Sequence, residues 1–464
     1  MCPISQHAQT SPDTMAYMTV TRSYTYAELH HRVGQWVQVL ERHKIASGQR
    51  IGLYLPLMEE TPLILWALIR LGTVVFPLNP ALPWNAALDF FIKGEVKSLI
   101  GVFSAISGVK QSSMHFLELE ELQKELGPAS GSTALISTDQ WASMILTSGS
   151  SGTPKIAVHS YGNHLYNALG VTQRIPLASS DRWWLSLPIY HVGGWGVLFR
   201  TFLAGAAVVL TGKKTFSEVI PFFRISHVSW VPTQLIRFLS QNNNPFYLKA
   251  VVLGGALCPQ ELYQKALKIK VPVYLTYGLT EMSSQVTISD LGVFNQGRVL
   301  SNREILCTKE GDIKVKGASL FQGYFDRGQC CLTLDEAGWY ATGDQGSLDS
   351  EGNLRVIGRK DQLFISGGEN IQPEEIEQAL LSLPGIEHAI VVPIPHPEFG
   401  ERPAAFIQLS SGQAIDTIKI QNSLSSRLPS FKIPDHFWPW PEDLMTGVKP
   451  SRARLKQLAE TKFL

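Results

Sequence analysis

Residues 147–155 read TSGSSGTPK, with five hydroxyl side chains, two glycines and one lysine in nine positions. Glycines let a backbone approach a ligand closely and expose its N–H groups. Hydroxyls donate to oxygen without adding charge, and a lysine supplies a point charge that phosphate oxygens favour. Together Thr147, Ser148, Gly149, Ser150, Ser151, Gly152, Thr153 and Lys155 have the composition of a phosphate cradle. A flexible Ser/Gly linker would share that composition. However, an apolar run (Met144, Ile145, Leu146) leads in and an alternating run follows Pro154, which suits a loop between strands. No Gly-Lys-Ser/Thr occurs in the stretch, so it is not a Walker A loop.

Further residues able to do chemistry lie downstream. YGLTE holds Tyr277, Gly278, Thr280 and Glu281; YATGD holds Asp344; GRKD holds Arg359 and Asp361; TGVKPSR holds Lys449. Taken singly, each has a plain reading. Tyr277 suits strand-end packing, Asp344 a turn, and Lys449 a solvated basic tail beside Arg452, Arg454 and Lys456.

These residues need a scaffold. SYTYAELHHRVGQWVQVL opens with Thr25 and Glu28 at capping-box spacing. Leu29, Val33, Trp36, Val37 and Leu40 then recur at helical spacing. TPLILWALIRLGTVVFPL reads as a buried helix running into a strand; Arg70 and Gly72 and its short length argue against a membrane span. Short apolar runs (IGLYL, SWVPT, AVVLGGA, VPVYLTYG) alternate with helical stretches (TQLIRFLSQ, QELYQKALKI), which implies parallel sheets covered by helices. Near residue 297 turn residues become frequent, as in a small antiparallel or barrel-like unit. Gln372-Pro373 then places proline at the start of the helix EEIEQALLSL. The expected fold is α/β: a large N-terminal domain of parallel α/β subdomains plus a small β-barrel-like unit, and a small mobile α+β C-terminal domain. The boundaries expected are 1–358, a hinge at 359–361, and 362–464.

A chain of 464 residues with 44% hydrophobic and 17% charged residues has ample core for more than one domain. Its net charge of +1 gives no sign of nucleic acid or a membrane surface as partner, and no stable membrane insertion is expected. Five cysteines without CxxC or metal spacing read as reduced thiols in a cytoplasmic protein. The N-terminal stretch lacks the basic and apolar regions of a signal peptide.

In order, TSGSSGTPK, YGLTE, YATGD, GRKDQLFISGGENIQPEEIE and TGVKPSR resemble the signature motifs of adenylate-forming enzymes, which include acyl- and aryl-CoA ligases, peptide-synthetase adenylation domains and luciferases. The resemblance implies ATP, Mg²⁺ and coenzyme A, with small molecules as substrates, and a homodimer is the assembly that family analogy suggests. It implies two half-reactions, an acyl-adenylate being formed and then passed to a thiol. Lys449 would lie between the carboxylate and the α-phosphate, with Thr280 donating to phosphate and Glu281 holding the metal. Tyr277 and Gly278 would lie at adenine, Asp344 would accept the ribose hydroxyls, Arg359 would reach ribose or phosphate, and Asp361 would be the pivot. Gly367 and Gly368 would line the pantetheine path. Where the family commonly reads Ser-Gly-Lys, this chain has Gly447-Val448-Lys449, and Ile365 replaces a common lysine, so no role is carried to it.

The acyl pocket follows from LPIYHVGGWG and SWVPTQLIRFL. Tyr190-His191 stands where amino-acid-activating members carry an aspartate, so an amino acid is not the expected substrate. His191 would contact or gate the acid, though a lone histidine also suits packing. SWVPTQLIRFL, LGGALCP, YGLTEM and LFISGGENIQPEEIE resemble the branch that activates o-succinylbenzoate in menaquinone biosynthesis. Arg237 would then hold the ring carboxylate, and Gly254 and Gly255 would line the path to the α-phosphate. Other readings stay open: a ligase for another aryl or medium-chain acid, an enzyme loading a carrier protein, and a non-catalytic nucleotide binder.

Overall fold

The computed structural model describes residues 2–104, 114–128, 135–147, 154–212, 214–241, 243–410, 415–441 and 452–463. Local signals are realised where they are short-ranged. Thr25 accepts from the Glu28 backbone N–H while Glu28 reaches back to the Thr25 N–H, and the helix Tyr26–Arg42 follows. Every residue of the helix Thr61–Arg70 is buried, and it leads into the buried strand Val74–Pro77. Pro373 sits in the first turn of the helix Pro373–Leu381.

Two large sheets carry the first part of the chain. A nine-stranded sheet runs, in order, Arg298–Val299, Ser284–Ile288, Val273–Leu279, Ala250–Leu253, His227–Trp230, Arg182–Trp184, Ala207–Leu210, Met15–Thr19 and Ser23–Thr25. An eight-stranded sheet runs Gln329–Cys331, Gly323–Asp326, Lys155–Ser160, Trp141–Thr147, Val74–Pro77, Arg50–Tyr54, Ser98–Gly101 and His115–Glu118. Their interior strands are parallel and covered on both faces, as expected for buried β-branched runs. The sheets are mixed rather than purely parallel. Val273–Leu279 meets Ser284–Ile288, and Trp141–Thr147 meets Lys155–Ser160, in antiparallel pairs. Both candidate phosphate-handling segments therefore connect antiparallel strand pairs, at points where a parallel run gives way. Trp36, Trp66, Trp183 and Trp195 fill the core shared by the helices and sheets.

Beyond residue 300 lies an antiparallel four-stranded sheet, Arg303–Cys307, Asp312–Gly317, Tyr340–Leu348 and Leu354–Arg359. The C-terminal α+β unit is built on the strands Phe364–Ser366, Glu369–Ile371, Ile386–His396, Gly400–Leu409 and His436–Pro439. Its own core joins Ile371, Ile376, Leu380, Val391 and Ile407. No helix among the described residues is long and apolar enough to cross a membrane. All five cysteines are free thiols.

Candidate active site

Tyr277 and Gly278 close the strand Val273–Leu279, and Thr280–Met282 makes a single helical turn before the chain doubles back. The hairpin is tight enough that a Cβ on Gly278 would sit 2.1 Å from the Ser284 carbonyl oxygen, so no larger residue fits. The Tyr277 hydroxyl leaves the turn and donates to the Asp344 carboxylate at 2.6 Å. Arg359, on the neighbouring strand of the four-stranded sheet, reaches the other Asp344 oxygen at 3.3 Å and the Thr342 carbonyl at 3.1 Å. The same guanidinium grips Asp361 with two bonds, at 3.1 and 2.9 Å. Burial pushes the Asp344 carboxyl above the usual range, while the Tyr277 hydroxyl and the Arg359 charge pull it back. Burial and the Asp344 charge push the Tyr277 phenol far up, so it stays a donor. Asp344 is thus a half-buried, oriented acceptor with capacity for ligand hydroxyls.

Glu281 is half-buried beside this cluster. Its side chain accepts from the Tyr324 hydroxyl, which lies 3.2 Å from the Tyr340 hydroxyl. The Lys155 ammonium sits over the Tyr324 ring, 4.9 Å from its centre. Tyr324 therefore links the lysine that ends TSGSSGTPK to the carboxylate of the turn. No three His, Cys, Asp or Glu residues among those described are grouped to hold a metal alone. One carboxylate beside a phosphate site is the donor set that Mg²⁺ commonly uses, and Glu281 fits that chemistry.

Thr147 ends its strand with its hydroxyl 3.4 Å from the Lys155 carbonyl. Ser148, Gly149, Ser150, Ser151, Gly152, Thr153 and Lys449 lie outside the described residues. Three residues beyond Lys449, Arg452 is anchored to Glu377 and Glu374 at the start of the last helix. Gly367 and Gly368, with φ of +57° and +88°, turn the chain between two short strands, a backbone that side chains disfavour. The Gly367 N–H donates to the Phe399 carbonyl at 2.9 Å.

Gly254 and Gly255 follow the strand Ala250–Leu253, at the carboxyl end where open α/β sheets bind ligands. His191 is exposed just before the helix Val192–Leu203, its ring 4.8 Å from that of Tyr190. Arg237 is exposed on the helix Pro232–Ser240. Its charge, after burial, depresses the pKa of His388 on the C-terminal strand Ile386–His396. The structure thus gathers Tyr277, Glu281, Asp344, Arg359 and Lys155 around one centre, whereas Arg237 faces the C-terminal unit.

Sequence reasoning missed three residues here. Tyr324 gave no signal beyond an aromatic in FQGYF. His159, discussed below, sat unnoticed in an apolar strand. Arg200 is fully buried, 4.8 Å from the Trp183 ring centre, bonded to the Gly196 carbonyl and to Gln285. Burial lowers its pKa, to about 9, and among the described residues its Nη1 has no hydrogen-bond partner.

A half-buried carboxylate that accepts a hydroxyl, a carboxylate suited to a metal and the lysine that follows the Ser/Gly-rich segment converge where two α/β sheets and a small antiparallel sheet meet, as in enzymes that transfer an adenylyl group. The chain belongs to the AMP-binding enzyme family: that family matches residues 4–325, and the AMP-binding enzyme C-terminal domain matches residues 375–447. Within the family it is 32% identical over 459 residues to the 2-succinylbenzoate–CoA ligase of Escherichia coli, covering 97% of this chain and 96% of that protein. The o-succinylbenzoate coenzyme A synthetase of Bacillus subtilis, solved with the acyl-adenylate OSB-AMP, superposes with a TM-score of 0.86 at 28% identity, covering 94% of each chain. The same Bacillus subtilis enzyme in complex with ATP and magnesium ion gives a TM-score of 0.83 at 28% identity, covering 94% of this chain and 95% of that one.

Proposed function

We propose that this chain is an AMP-forming acid–thiol ligase that converts o-succinylbenzoate to its CoA thioester for menaquinone biosynthesis. The observation that carries the reading is the Tyr277–Asp344–Arg359 cluster beside Glu281, in a chain that matches o-succinylbenzoate ligases over nearly its full length. In the first half-reaction a carboxylate oxygen of the acid bonds to the α-phosphorus of ATP. The bond to the bridging oxygen breaks and pyrophosphate leaves. In the second, the CoA sulfur attacks the acyl carbon, AMP leaves, and the thiol proton passes to solvent.

The chain's part is positioning and charge neutralisation. Asp344 holds the ribose hydroxyls and Arg359 orients Asp344. Thr147 to Thr153, with Lys155 and Thr280, hold the phosphates, and Tyr277 and Gly278 border adenine. Glu281 would hold Mg²⁺, which supplies charge neutralisation on the phosphates when bound. Lys449 faces the attacking carboxylate and α-phosphate; a fixed cation at about 4 Å contributes roughly 4 kcal/mol at an effective dielectric of about 20. Asp361, at the 359–361 hinge between 1–358 and 362–464, is the pivot that exchanges Lys449 for Gly367–Gly368 between the two half-reactions. The reduced cysteines suit the cytoplasm, and family analogy supports a homodimer.

For the acyl pocket, His191, Gly254 and Gly255 line the path and Arg237 pairs the ring carboxylate. The exposure of Arg237 favours one alternative, a ligase for another aryl or medium-chain acid. ATP–pyrophosphate exchange across a panel of acids separates the two. Exchange fastest with o-succinylbenzoate, and slowed about tenfold or more by Arg237→Ala, supports the first. An unaffected Arg237→Ala enzyme, or a preference for a monocarboxylic acid, supports the second.

A further inference from the structure

We infer that His159 is a positioning residue for the adenylation half-reaction, fixing the turn Thr280–Met282 against the strand that leaves the TSGSSGTPK segment. This rests on the functional reading above. His159 lies on the strand Lys155–Ser160 of the eight-stranded sheet, whereas the turn belongs to a hairpin of the nine-stranded sheet. Its Nε2 lies 2.7 Å from the Thr280 carbonyl oxygen. A carbonyl only accepts, so Nε2 carries the proton and Nδ1 must accept. Nδ1 faces the Ser143 hydroxyl at 3.3 Å, and that hydroxyl oxygen lies 2.8 Å from His164 Nε2. The chain therefore runs one way: His164 N–H to Ser143, Ser143 O–H to His159, His159 N–H to Thr280.

All three side chains are buried. Burial keeps both imidazoles neutral, lowering His159 to about 4, so the tautomer is held near neutral pH. The neighbouring carbonyls are held from outside the hairpin as well. The Phe321 N–H donates to the Glu281 carbonyl at 2.8 Å, and the Asn167 amide donates to the Met282 carbonyl at 3.1 Å. Three successive carbonyls of the turn are thus tied to other elements, and His159 ties it to the strand that follows the phosphate segment.

A triphosphate must be held by that segment and by Thr280 and Glu281 at once. Thiol attack on a finished adenylate involves no pyrophosphate. Loss of the tie should therefore slow adenylation selectively, which a general loss of folding would not do. The test uses the full chain and measures ATP–pyrophosphate exchange with o-succinylbenzoate, and separately thioester formation from pre-formed acyl-adenylate and CoA. His159→Leu should lower exchange about ten- to a hundredfold, with a raised KM for MgATP, and leave thioester formation within about twofold. His159→Gln, which keeps a donor near Nε2, should recover most of the exchange. If His159→Leu does not fold, Ser143→Ala, which removes the tautomer-setting donor, should show the same split at smaller size.

Equal losses in both half-reactions, or exchange unchanged in His159→Leu or in a folded Ser143→Ala, would overturn the inference. Wild-type exchange with a different acid would overturn the substrate assignment alone, and the comparison would be repeated with that acid. A wild-type chain that exchanges with no acid would overturn both.

Discussion

The Tyr277 hydroxyl donates to Asp344 across 2.6 Å, joining a strand end of the nine-stranded sheet to the small antiparallel sheet. Arg359 holds the other Asp344 oxygen, so the carboxylate is oriented for the ribose that the proposed function places there. Removing the acceptor and removing its orienting donor should therefore differ in size. Asp344→Asn should lower kcat/KM for ATP about a hundredfold and Tyr277→Phe about tenfold. Steady-state kinetics at saturating acid checks both; equal effects would mean that the carboxylate does not meet the ribose.

Glu281→Gln keeps an acceptor for the Tyr324 hydroxyl but loses the charge suited to Mg²⁺. The Mg²⁺ concentration for half-maximal exchange should rise about tenfold, with partial recovery at high Mg²⁺. An unchanged Mg²⁺ titration would remove Glu281 from the metal site.

Burial lowers His159 and His227 to about 4, and holds His164 well below the usual imidazole range. The unfolded chain takes up these protons below about pH 6.5, while the folded chain stays neutral until about pH 4. Stability contributed by the neutral forms is complete above the unfolded pKa and is lost as pH falls through that window. Melting temperature should fall from pH 7.5 to pH 5, and His227→Gln should flatten the fall, each histidine accounting for at most about 2 kcal/mol. A slope unaltered by His227→Gln would contradict the assignment.

Gly368 has φ of +88°, and no atom of the described residues lies within 4 Å of where a Cβ would stand. Gly368→Val should cost about 1–2 kcal/mol of local strain. If the turn lines the pantetheine path, the same change should slow thioester formation from pre-formed adenylate at least tenfold and spare exchange. Loss of exchange alone would place the turn elsewhere in the cycle.

What was legible in the sequence was local. The Thr25–Glu28 box and Pro373 act within one helical turn, so their spacing alone revealed them. YGLTE and YATGD were recognisable as motifs, but the bond between Tyr277 and Asp344 spans 67 residues and leaves no pattern in either. Tyr324 and His159 sit on strands whose alternation speaks only of burial, and their partners come from a different hairpin or sheet. Alternating strands and helices also suggested parallel sheets. The antiparallel edges arise because each candidate phosphate-handling segment links strands that double back, which hydropathy does not register. Arg200 is hidden in the apolar helix VGGWGVLFRTFL, where periodicity places a side chain inside but cannot show that it pairs with no carboxylate among the described residues.

The most direct test mixes the purified chain with ATP, Mg²⁺ and o-succinylbenzoate, with and without CoA, and follows products by mass spectrometry. The account predicts acyl-adenylate alone without CoA, and the CoA thioester with AMP when CoA is present. No adenylate with this acid, under conditions where benzoate-like or medium-chain acids give one, would contradict the proposed substrate and the role of Arg237.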